Sequence, residues 1–153
     1  MSIVATLNPP LTRLIVFLES LQSPLLLVFR VWVAQIFFSS GLNKIDNWEQ
    51  TLILFEYEYS VPLLSFEMAA YLATFGELFL PVILLLGIGT RLGAIALSVL
   101  NIVAVMAYYA TLVKVGQLTP HIFWGAMLLT TIIFGPGFFS LDHWLKSRVK
   151  PIE

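Results

Sequence analysis

Four stretches of this sequence, near residues 24–43, 66–87, 91–112 and 120–139, stay apolar for the roughly 20 residues that a helix needs to cross a hydrocarbon core. Composition agrees with that solvent. Hydrophobic residues make up 59% of the chain and charged residues 11%, against roughly 45–50% and 25% in a soluble domain. A water-soluble fold of this size could not hide so much apolar surface, and disorder needs the opposite composition. The expected fold is all-α, an integral membrane bundle of four transmembrane helices forming one domain over residues 1–153. The lipid bilayer is its first partner.

The helix ends carry recognisable signals. Pro24 and Pro120 suit first turns, with Thr119 as a cap for the fourth helix. Gly87 can close the second helix and Thr90 can open the third. Gly135-Pro136-Gly137 should end or bend the fourth. Two shorter segments, 9–22 (PPLTRLIVFLESLQ) and 46–58 (DNWEQTLILFEYE), mix apolar and charged positions. They read as amphipathic helices lying in the interface; the alternative for each is a loop with some apolar residues. The first fifteen residues, with Pro9 and Pro10, lack a signal-peptide core, so the first span is expected to act as an uncleaved targeting signal.

Basic residues orient the bundle. Four spans put both termini on one side, with Arg13, Arg91, Lys146, Arg148 and Lys150 there and Arg30 close by. Lys44 and Lys114 fall on the other. The termini are expected in the cytoplasm of a bacterium, and the acidic 44–65 loop (Asp46, Glu49, Glu56, Glu58) in the periplasm.

Several chemistries are disfavoured. The chain has no cysteine, so disulfides, thiol relays and thiolate metal sites are out. Its two histidines, His121 and His143, fall on opposite sides, and neither has partners at metal-ligand spacing, so no metal site is expected. A net charge of −1 argues against a nucleic-acid partner. Trp32, Trp48, Trp124 and Trp144 read as interface anchors.

Ionisable groups inside spans are costly and therefore candidates for function. On the first helix Arg30, Ala34, Phe37, Gly41 and Lys44 share one face. On the second, Ala70, Thr74, Glu77 and Pro81 do so. Glu77 falls roughly 15 Å from the Gly87 end, near the midplane, and Pro81 has no N–H for its carbonyl. Ala94, Leu97, Asn101, Ala104 and Tyr108 align on the third helix, and His121, Trp124, Leu128 and Thr131 on the fourth. The functional reading makes Arg30 and Glu77 the inner, catalytic pair of a polar pocket. Lys44, Asn101, His121, Gly41 and Thr74 are candidate ligand-binding positions, and Lys44, His121 and Glu67 ring its outer mouth. The structural reading is a buried ion pair plus snorkelling cations that only fix packing.

Three runs then resemble a known family: RVWVAQIFFSSGLNKI (30–45), ELFLPVILLLGIGTR (77–91) and GPGFFSLDHWL (135–145). They are similar, over about residues 25–146, to the DoxX family of small bacterial four-helix membrane proteins. The segment EYSVPLLSFEMAAYLATFGELFLP (58–81) resembles members encoded beside enzymes that modify metallophore peptides of the bufferin type. The resemblance implies an inner-membrane subunit of a quinone-linked oxidoreductase system, working with protein partners. It also implies that Arg30, Gly41, Lys44 and Glu77 fall on the family's commonest polar positions. The expected bound molecule is a quinone, with no covalent cofactor. Two other readings stay open. One is a non-catalytic membrane scaffold for partner proteins, the other a small transporter or exporter of a metal or modified peptide. The last would need a homo-oligomer, since four helices enclose little space.

Overall fold

The computed structural model describes residues 9–59, 61 and 63–148. Lys150, assigned above to the cytoplasmic side, lies outside them. Seven helices appear among the described residues: α1 (Pro9–Ser20), α2 (Gln22–Asp46), α3 (Trp48–Tyr57), α4 (Phe66–Leu86), α5 (Thr90–Lys114), α6 (Leu118–Phe134) and α7 (Leu141–Arg148). No strand occurs there.

The bundle proper is α2, α4, α5 and α6, with α2 against α4 and α6, and α5 against the same two. The residues aligned by helical spacing are those that turn inward. Arg30, Ala34, Phe37 and Gly41 of α2 are buried, as are Ala70, Thr74, Glu77 and Pro81 of α4. Val33, Phe37, Leu84, Ala94, Leu97 and Leu128 close the apolar core. The outer faces keep large apolar side chains exposed, Trp32, Phe75, Ile102 and Phe123 among them. Patches on that scale mark a surface facing lipid rather than water. The α2, α4 and α5 helices lie in the three runs long and apolar enough to cross a membrane.

The fourth helix differs from expectation at both ends. It begins at Leu118, with Gln117 as a cap that makes no side-chain hydrogen bond, so Thr119 is not its cap. It stops at Phe134 rather than 139. Gly135 has φ +80° and Pro136 has no N–H to continue the ladder, so the chain turns there. The segment that follows folds into α7, which the sequence reading did not foresee. The Ser140 hydroxyl opens α7 by accepting from the His143 N–H.

The interfacial segments are helices, α1 and α3. The α3 helix does not merely float in the interface. Its Phe55 packs on Ala69 and Ala70 of α4, and its Thr51 hydroxyl donates to the Lys44 carbonyl at 3.1 Å. This roofs one end of the bundle, hereafter the α3 end. The α4–α5 turn, the start of α2 and α7 meet at the opposite, terminal end.

One glycine sets how closely α2 and α4 approach. A Cβ on Gly41 would fall 2.8 Å from Leu78 Cγ and 3.1 Å from Glu77 Cβ. The bare backbone lets the two helices come close enough for polar side chains to meet between them.

Candidate functional site

The expected inner pair does not form. The Glu77 carboxylate instead accepts from Lys44 Nζ at 2.6 Å, and the same ammonium donates to Ser40 Oγ at 2.9 Å. Helical geometry explains the choice. Gly41 faces Glu77 directly, so the residue one turn toward the α3 end, Lys44, is the cation in reach. Arg30 lies three turns the other way.

Arg30 is 1% exposed and spends its guanidinium on backbone oxygens. Its Nε donates to Leu84 O at 2.8 Å and Nη2 to Leu85 O at 2.6 Å. Its Nη1 donates to Pro136 O at 2.9 Å and Phe139 O at 2.8 Å. Four of the five N–H groups of an arginine are thereby used. The first two acceptors belong to the last turn of α4, where carbonyls lack helical partners and carry the negative end of the macrodipole. The other two sit in the turn after α6. Arg30 is thus a clamp joining α2, α4 and the α6–α7 connection, and the expected pairing of Arg30 with Glu77 is corrected. Backbone oxygens, rather than a carboxylate, accept all of its hydrogen bonds among the described residues.

The α3 end of the bundle also carries an aromatic group. Tyr59, which follows α3, stacks edge-on with Phe55 and with Tyr108 at centroid distances of 4.7 and 4.6 Å. Burial first, then Tyr108 and the charges of Glu77 and Glu58, push the Tyr59 phenol up to about 12. Tyr108 donates to Glu58 Oε2 at 2.6 Å and sits at a break in α5, with φ −128° and ψ 20°. Thr74, a proposed binding residue, turns its hydroxyl back on the Ala70 carbonyl at 2.8 Å.

Asn101 and His121 meet each other, not the ion pair. Asn101 Nδ2 donates to the His121 carbonyl at 3.0 Å, and Asn101 Oδ1 lies 2.8 Å from His121 Nδ1. A carbonyl only accepts, so the amide orientation is set, and Nδ1 must carry the ring proton. This double link fastens α5 to α6. Trp124 stands beside it, edge-on to His121 at 4.6 Å and to Phe37 at 6.0 Å. It packs inside the bundle and is not the interface anchor expected of it.

Sequence reasoning missed Asp142. Gly89 precedes α5 and has no side chain to cap it, and Asp142 of α7 supplies the cap from outside. Its carboxylate accepts from Gly89 N at 2.7 Å, Thr90 N at 2.8 Å and Thr90 Oγ1 at 2.7 Å. Partial burial opposes ionisation, but these bonds, with Lys146, hold the carboxyl below its ordinary value. Ser23, also missed, accepts from Phe138 N at 3.1 Å. Among the described residues there is no group of three or more His, Asp or Glu placed to hold a metal ion.

An all-α bundle with lipid-facing apolar walls, and with an ion pair closed between two helices, defines a small integral membrane protein. Residues 25–111, more than half the chain, match the family profile described as DoxX. The chain belongs to the DoxX family. Comparison with curated proteins gives no match, and comparison with solved structures gives none either.

Proposed function

We propose that this DoxX protein is an inner-membrane subunit of a quinone-linked oxidoreductase system, with its site at the Lys44–Glu77 pair. The carrying observation is that pair itself, 2.6 Å long, enclosed between α2 and α4, with α3 packed over the same end of the bundle. Charged groups at such depth are expensive and earn their place by chemistry. A quinone supplies two-electron, two-proton redox chemistry when bound. Lys44 is the donor suited to orient a carbonyl oxygen, and Glu77 is the group able to hold or release a proton at Oε2. Phe55, Tyr59 and Tyr108 supply aromatic surface at the same end of the bundle. With no cysteine in the chain, the electrons come from a partner protein. The resemblance of residues 58–81 to members encoded beside metallophore-modifying enzymes supports placing that partner in a metal-stress pathway.

The test is quinone content. The protein is purified in native-lipid nanodiscs and extracted, and quinone per protein is measured alongside Glu77→Gln and Lys44→Met. Enrichment over bulk lipid, lost in both folded variants, is the expected result. No enrichment in the folded wild type would sink the quinone reading and leave the scaffold or transport roles.

A further inference from the structure

A second polar region lies at the terminal end, far from the ion pair. There α1, the start of α5 and α7 enclose an open cleft of about 880 Å³, within the roughly 300–1,000 Å³ of small-molecule sites. Glu19 of α1, Arg91 of α5 and Lys146 of α7 all line it. Asp142 also lines it, but its carboxylate is committed to the α5 cap. Arg91 gives one N–H to the Ile133 carbonyl at 3.3 Å, its single hydrogen bond among the described residues. The cleft is thus lined by two cations and two carboxylates, and of the carboxylates Glu19 has no hydrogen bond or ion pair among the described residues. Val16, Leu92 and Phe138 add exposed apolar surface at the same opening.

We propose that this cleft holds the head group of a membrane phospholipid bearing both a phosphate and a primary amine. Arg91 and Lys146 take the phosphate, Glu19 takes the ammonium, and the apolar rim follows the glycerol and the first acyl carbons. A purely anionic head group would leave Glu19 against negative charge. A choline head group has no N–H to give it. The inference stands apart from the quinone reading, because it uses other residues at the other end of the bundle.

The experiment reconstitutes the full chain in nanodiscs of phosphatidylcholine alone, or mixed with phosphatidylethanolamine or phosphatidylglycerol. Lipid retained after transfer to detergent is measured by native mass spectrometry. Wild type should retain phosphatidylethanolamine above both others. Arg91→Gln and Lys146→Gln should each lower that retention about fivefold. Glu19→Gln should erase the preference over phosphatidylglycerol while lipid is still retained. Arg13→Gln, outside the cleft, should change nothing. Equal retention of all three lipids, a preference for phosphatidylglycerol in wild type, or displacement by millimolar inorganic phosphate would each overturn the proposal. Helicity by circular dichroism confirms that each variant is folded, and the two cation variants test the phosphate contact separately.

Discussion

Arg30 and Lys44 sit on the same face of the same helix, yet the structure uses their charges in opposite ways. Arg30 is surrounded by backbone oxygens from two segments, the end of α4 and the α6–α7 connection, held in place by the fold and unable to change partner without unpacking it. The Lys44 ammonium, among the described residues, bonds only to side chains, Ser40 and Glu77. Side chains can rotate, exchange protons and accept a substitute partner, and main-chain carbonyls in a helix terminus cannot. The depth of a charge in the membrane therefore says less about function than the kind of atom that answers it.

The comparison can be broken most sharply at Arg30. Arg30→Met leaves four carbonyls without their donor, at about 1–3 kcal/mol for each that stays buried and unpaired. Little folded protein should be recovered from detergent extracts. Arg30→Lys should rescue poorly, because an ammonium cannot span acceptors placed for a planar fork. Next comes the ion pair. Glu77→Leu alone strands a buried ammonium and should cost about 3–5 kcal/mol in denaturant unfolding followed by far-UV dichroism. The double variant Lys44→Met/Glu77→Leu should regain most of that stability while losing quinone enrichment. A double variant that keeps full function would make the α3 end as structural as the terminal end. Gly41→Ala tests the contact between them. Its Cβ meets Leu78 at 2.8 Å, and overpacking of this kind costs about 1–3 kcal/mol.

The smallest effect expected is at the α5 cap. Asp142→Ala should cost about 0.5–2 kcal/mol, the usual range for a lost helix cap. Its folded carboxyl lies below the ordinary value of 3.8, so its contribution is complete above that pH. The contribution disappears as pH falls below 3.8 through the folded value. The wild type should therefore lose stability relative to Asp142→Ala on acidification, and thermal unfolding curves that stay parallel through that window would contradict this.

Much of the fold was legible because helical periodicity is a local property. The inward stripes on α2 and α4 and the Gly87 stop follow from residue spacing and from one residue's backbone freedom, and both appear in the structure. The partnerships were not legible. Arg30 and Glu77 looked matched by sign and depth, but nothing in one strip of sequence says that the α4 carbonyls and the α6–α7 turn converge on Arg30. Asp142 escaped for the same reason, since it caps a helix more than fifty residues away. Asn101 and His121 were singled out separately as binding residues, and the fold makes them each other's partner. Ser140 preceding Asp142 was a local helix-start signal that could have revealed α7.

The brevity of α6 reaches beyond the protein itself. At 17 residues it spans about 26 Å, less than the roughly 30 Å of a typical hydrocarbon layer. Its neighbours α2 and α5 are 25 residues long, so the shortfall is one-sided. A span shorter than the layer is met by local thinning, by snorkelling side chains or by association with a second helix, at fractions of a kcal/mol per ångström. The flank of the bundle at α6 is therefore the place where the fit between protein and bilayer is tightest.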